Sequence, residues 1–135
     1  MKAIARRVKP DHYTHEVEIR HHRVTTDEPE DVGGDDQGPS PQELLAASLA
    51  SCTAITLEMY ARRKEWDVGR VEVQCSYSAS ERIGLTQFDL VLRLPAELNE
   101  NQRERLRAIA ARCPVHRTLT GEVVFSDRVE LLEET

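Results

Sequence analysis

Gly38-Pro-Ser-Pro-Gln-Glu-Leu-Leu-Ala-Ala-Ser-Leu-Ala-Ser-Cys-Thr-Ala-Ile-Thr-Leu57 opens as a loop and continues as a helix. Ser40 suits the N-cap, Pro41 the first helical position, and Glu43 completes a Ser-x-x-Glu capping box. From Leu44 to Leu57 fourteen residues pass without a charge, in a chain that is 31% charged. Apolar or small side chains cover every face, so the expectation is a central, buried helix over 41–63. Cys52 lies in the middle of it. Such a thiol is either small hydrophobic filler or a nucleophile in a dry pocket.

The rest of the chain is read outward from this helix. Residues 2–9 and 13–19 read as strands separated by a turn at Pro10-Asp11. The alternation of His15-Glu-Val-Glu-Ile-Arg20 is expected to run on through Val24, giving a small antiparallel sheet with one wet face. Thr26 to Ser40 is rich in acids and turn formers and reads as a loop; one this long is often functional. Asp67-Val-Gly69 is expected to end the helix. Val71–Tyr77 and Phe88–Leu94 read as a hairpin with its turn near Ser80–Gly84. Leu106, Ile109, Ala110 and Cys113 form the inner stripe of a second helix over about 100–112. Cys113-Pro114 breaks that helix, and Val115–Thr120 reads as a short further turn. Glu122–Ser126 is expected to form a last strand, extended by Val129–Leu132. The order of elements argues for α+β rather than a doubly wound sheet.

The 135 residues suit one domain, 1–135, large enough for a core without disulfides. A net charge of −6 argues against nucleic acid or an anionic membrane as the main partner. Arg62-Arg63-Lys64 is a short basic run flanked by acids. The N-terminus has no apolar signal-peptide core, and the uncharged run is short for a membrane span. Three cysteines, an odd number, fit a reducing compartment, so the expected location is cytoplasmic.

Cys113 differs from Cys52: if Val115–Thr120 is helical, Cys113 sits at its N-terminal end, where a thiolate is favoured. Two inward-facing cysteines on two helices suit a redox pair, which only geometry can establish. Cys75, on a strand face with Val71 and Val73, reads as core filler. Cys113-Pro-Val-His116 with Cys52 offers three soft ligands where a structural zinc site takes four, so no metal is expected. His12, His15, His21 and His22 read as solvated strand positions. A Cys52 thiolate in mid-helix would need a cation from elsewhere, and arginine stays charged when buried.

Gly33-Gly-Asp35, with Gly38 through Cys52-Thr-Ala54, resembles the central-helix motif of the OsmC/Ohr family, the osmotically inducible and organic hydroperoxide resistance proteins. Arg112-Cys113-Pro-Val-His-Arg-Thr-Leu119 resembles the family's second-cysteine motif in its OsmC-like branch. The two cysteines are sixty-one positions apart, close to the family spacing, and the likeness covers roughly residues 27–127. The resemblance implies an intertwined homodimer, with two central helices packed against sheets to which both chains contribute. It implies thiol-dependent reduction of organic hydroperoxides, with Cys52 peroxidatic and Cys113 resolving. No cofactor is implied; the reductant is a cellular dithiol, in the family often lipoyl-based.

Family peroxidases hold the thiolate with an arginine and that arginine with a glutamate just after the helix-opening proline. Here that position is Gln42, followed by Glu43, and the arginine candidates are Arg20 and Arg23. Gln42 lies roughly 15 Å along the helix from Cys52, a gap only a long bridging arginine could close. The alternative from another class is a weakly catalytic or non-catalytic member that binds a small apolar ligand at the dimer interface.

Overall fold

The computed structural model describes residues 1–79 and 84–133. The fold is α+β. β1 (Ile4–Arg7), β2 (His15–Ile19) and β3 (His22–Thr26) form an antiparallel meander. Register aligns Ala5, Val17 and Val24 across the three strands. The opposite, wet face carries two ion pairs, Arg6–Glu18 at 2.6 Å and Arg23–Glu16 at 2.7 Å. The alternation from His15 to Val24 is not one strand. Arg20 and His21 turn the chain, Ile19 pairs with His22, and Arg20 takes the left-handed φ of 55°. Glycine or asparagine is the usual signal for such a conformation, and neither is present.

The loop after β3 is organised by one buried carboxylate. Asp27 accepts hydrogen bonds from the Thr14 hydroxyl (2.7 Å), the Glu28 N–H (2.7 Å) and the Gln37 N–H (3.2 Å). Its own N–H donates to the Pro39 carbonyl at 3.2 Å. The loop is drawn in so tightly that a Cβ on Gly34 would stand 1.9 Å from the Glu28 carbonyl oxygen. Burial raises the Asp27 pKa, but the hydrogen bonds outweigh it and hold the carboxyl below its usual range. A lowered folded pKa gives stability that is present above the unfolded value, about 3.9. That stability is lost as pH falls through the folded one. Asp27→Asn is therefore less stable at pH 7, and its stability changes less between pH 7 and pH 3 than the parent's. Urea unfolding followed by Trp66 fluorescence at both pH values checks this; parallel losses would contradict it.

α1 (Pro41–Arg63) begins with the expected capping box. The Glu43 N–H donates to Ser40 Oγ at 3.1 Å, and the Ser40 N–H donates to Glu43 Oε1 at 2.9 Å. The helix stops earlier than Asp67. Glu65 adopts a left-handed φ of 57°, its N–H donates to the Arg62 carbonyl and the Trp66 N–H to the Ala61 carbonyl. This is a Schellman closure with glutamate where glycine is usual. Trp66 then meets Tyr60 edge-on, with ring centroids 5.7 Å apart.

β4 (Glu72–Ala79) and β5 (Thr86–Arg93) form the second sheet, with Cys75 opposite Leu90 and Tyr77 opposite Phe88. Of the turn expected at Ser80–Gly84, all but Gly84 lies outside the described residues. α2 (Glu100–Ala110) has its own capping box from Asn99 and Gln102 and buries Leu106, Ile109 and Ala110, the expected stripe. α3 (Pro114–Thr120) follows, with Cys113 as its N-cap. One face of α1 packs on β4, α2 and α3. The core gathers Leu57, Tyr60 and Ala61 of α1 with Leu106, Ile109 and Ala110 of α2, closed by Val68 and Leu98.

Two expectations fail for one physical reason. α1 is not buried all round: Leu45, Ile55 and Met59 are 36%, 50% and 64% exposed. By length and composition α1 could cross a membrane, although its core face is already packed against protein. The strand expected at Glu122–Ser126 and its extension are absent as well. Among the described residues, 122–133 pair with nothing, and Val124, Phe125, Val129, Leu131 and Leu132 are exposed. A strand needs a paired neighbour, and an apolar helix needs cover on both sides. Among the described residues these segments have neither.

Candidate functional site

Cys52 lies on α1 one step round the helix from the buried face. It stands in a stripe of Leu45, Ser48, Cys52, Ile55 and Met59, spaced three and four residues apart, and is half-buried itself. The next residue, Thr53, points into the core and is fully buried. Cys113 is fully buried at the joint between α2 and α3. Pro114 forces this joint: it excludes a helical Cys113 but is well suited to the first position of α3. Cys113 therefore has extended backbone (φ −63°, ψ 141°), and its side chain serves as the cap.

The fold brings these two thiols together. Both are free. Cys113 Sγ accepts the His116 N–H at 3.2 Å and the Thr53 hydroxyl at 3.7 Å. The Cys113 thiol and the Val115 N–H both lie near enough to the Cys52 sulfur to act on its ionisation. The first turn of α3 thus gives the His116 N–H to Cys113 and brings the Val115 N–H near Cys52. Burial pushes the Cys52 thiol above its ordinary range, and the nearby Cys113 adds to this. The Val115 N–H and the Thr56 hydroxyl act in the other direction. Among the described residues, no cation contributes to its titration.

A groove of about 510 Å³ opens one turn from Cys52. Its apolar lining comes from Leu45 and Leu49 of α1, Tyr77, Phe88 and Leu90 of the second sheet, and Leu119 of α3. His116, which donates its N–H to Cys113, also lines it.

The supporting positions lie elsewhere. Gln42 and Glu43 line a separate groove of about 610 Å³ with Ala46, Ala47 and Cys75. Glu43 is held by the capping box, which lowers its pKa through the Ser40 N–H and hydroxyl. Arg23 is paired with Glu16 on the wet face of the first sheet, and Arg20 is exposed at its turn, 3.4 Å from His22. Within one chain neither reaches Cys52. Cys75 is half-buried rather than core, facing the groove, with its thiol raised by burial and by Asp89. Among the described residues no three His, Cys, Asp or Glu side chains gather as metal ligands would. Sequence reasoning missed Thr53 and the His116 N–H, which meet at the Cys113 sulfur. A lone hydroxyl on the core face of an apolar helix was the available sign.

Cys52 and Cys113 thus stand between a long helix and a Cys-Pro joint, beside an apolar groove on an α+β frame. The sequence profile of the OsmC-like protein family matches residues 34–126, and the chain belongs to that family. No curated protein sequence matches it. Among solved structures it is similar to an osmotic stress induced and detoxification response protein from Psychrobacter arcticus 273-4, with TM-score 0.76 and 21% identity over 87% of each chain. It is also similar to an organic hydroperoxide resistance protein OsmC from Legionella pneumophila. There the TM-score is 0.68 and the identity 21%, over 89% of this chain and 88% of that one. The organic hydroperoxide resistance protein OhrB of Bacillus subtilis matches with TM-score 0.62 and 21% identity, over 89% and 90%. At these identities the likeness is one of fold.

Proposed function

We propose that the protein is a cysteine-based reductase of organic hydroperoxides that works as a homodimer in the cytoplasm. The observation that carries this reading is the approach of the Cys52 and Cys113 thiols at the first turn of α3, which caps Cys113 with the His116 N–H. The Cys52 thiolate attacks the peroxide, the O–O bond breaks, and an alcohol leaves, with Cys52 as a sulfenic acid. Cys113 condenses with it to a disulfide, and an external dithiol, lipoyl-based or similar, restores both thiols. The apolar groove beside Cys52 suits a greasy peroxide.

A second copy is the proposed cover for the bare stripe of α1 and the neighbour for residues 122–133. It is also a source for a cation on Cys52, since none of the described residues of the same chain supplies one. Arg20 and Arg23, on a first sheet that packs little against its own α1, are the candidates, with Gln42 or Glu43 to orient them.

One observation favours the alternative, a binder of small apolar ligands without turnover: burial holds the Cys52 thiol above its ordinary range. A stopped-flow measurement of Cys52 thiol loss on adding cumene hydroperoxide separates the two. The peroxidase reading predicts loss far faster than for a free thiol, rising with pH as the raised thiol ionises. Loss no faster than a free thiol would leave only the binder.

A further inference from the structure

We infer that Thr53 is a positioning residue for the second half of the reaction: its hydroxyl holds the Cys113 sulfur ready to attack Cys52. The inference rests on the peroxidase reading for its biological meaning, but the geometry stands by itself. α1 carries four serine and threonine side chains beyond its cap. Three of them spend their proton on the helix's own backbone: Ser48 donates to the Leu45 carbonyl at 2.8 Å, Ser51 to Ser48 at 3.3 Å and Thr56 to Cys52 at 2.8 Å. Thr53, fully buried, instead donates across to Cys113 Sγ on the neighbouring element, sixty residues away in sequence. A buried hydroxyl without a partner is costly, and back-bonding would have satisfied this one locally.

The His116 N–H approaches the same sulfur at 3.2 Å, so two donors from two elements hold Cys113. Together they fix the position of the sulfur that must reach Cys52. In the resolving step an electron pair on the Cys113 sulfur forms the S–S bond to Cys52. The S–O bond of the sulfenic acid breaks, and the hydroxyl leaves as water with the proton that Cys113 gives up. Thr53 touches neither the peroxide nor the leaving oxygen in this scheme; it acts through Cys113.

Thr53→Val removes the hydroxyl and keeps the shape, and Thr53→Ser keeps the hydroxyl. Peroxide oxidation of Cys52 and formation of the Cys52–Cys113 disulfide are timed separately, with dimedone trapping the sulfenic acid. The resolving step in Thr53→Val should slow about tenfold more than the peroxide step, the scale of one hydrogen bond to a charged group. Trapped sulfenic acid should accumulate, and Thr53→Ser should stay near the parent. The same comparison is made with 5,5′-dithiobis(2-nitrobenzoate), where Cys113 expels thionitrobenzoate from Cys52. This arm tests Thr53 even if Cys52 proves inert to peroxide, so the two failures are told apart. Disulfide formation in Thr53→Val at the parent rate, or equal impairment of Val and Ser, overturns the inference.

Discussion

Cys52→Ser loses hydroperoxide turnover altogether, by about a thousandfold or more, the scale on which removing a covalent nucleophile acts. A serine hydroxyl is not ionised near neutral pH and gives no stable oxidised form that Cys113 could resolve. The substitution is close in size, at a half-buried position, so the fold should survive it. Cys113→Ser behaves differently. It consumes about one equivalent of peroxide, stops with a sulfenic acid on Cys52, and with excess peroxide proceeds to sulfinic acid. Cys75→Ser, altering the groove lined by Gln42 and Glu43, leaves turnover in place. Peroxide consumption coupled to a dithiol reductant measures all three. Turnover by Cys52→Ser at the parent rate would remove Cys52 from the mechanism.

The second large effect concerns assembly. Ile55→Arg on the bare face of α1 converts a micromolar dimer into monomer, raising the dissociation constant by about a thousandfold or more. The reason is local. Leu45, Ile55 and Met59 form an exposed apolar stripe on both sides of Cys52, and burying each is worth about 1.5–3 kcal/mol. A guanidinium placed among them would have to be desolvated when the face is covered. Sedimentation velocity reads the result. The variant should sediment as a monomer with weakened helical circular dichroism, because the uncovered helix and residues 122–133 then lack their neighbour. Should the variant aggregate, the parent alone decides: a stable monomer at micromolar concentration would contradict the dimer.

Much of the frame was legible because local chemistry and tertiary need agree there. Ser40 and Glu43 mark the start of α1, Asn99 introduces α2, and Leu106, Ile109 and Ala110 bury as their spacing predicts. Cys113-Pro114 could be read as a joint because proline restricts the residue before it. The misses share another character. Arg20 and Glu65 hold left-handed backbone usually given to glycine, so the turn between β2 and β3 and the end of α1 carried no residue signal. The apolar run of α1 was read as a helix with cover on every face and Glu122–Ser126 as a strand, and the structure gives neither that strand nor that cover. The pattern does not say which chain provides it, and this chain leaves both bare. The thiol pair was legible only through the two motifs together, since neither cysteine has a local sign of reactivity. Among the described residues no cation acts on Cys52, and Gln42, standing in the place of an acid, separates this chain from the pattern it resembles.

The central claim is that Cys52 and Cys113 form one peroxide-driven couple. Peptide mapping by mass spectrometry after one equivalent of cumene hydroperoxide tests it most directly. The account predicts a Cys52–Cys113 disulfide within one chain, with Cys75 still reduced. Both cysteines recovered as free thiols, or a disulfide drawing in Cys75, would contradict it.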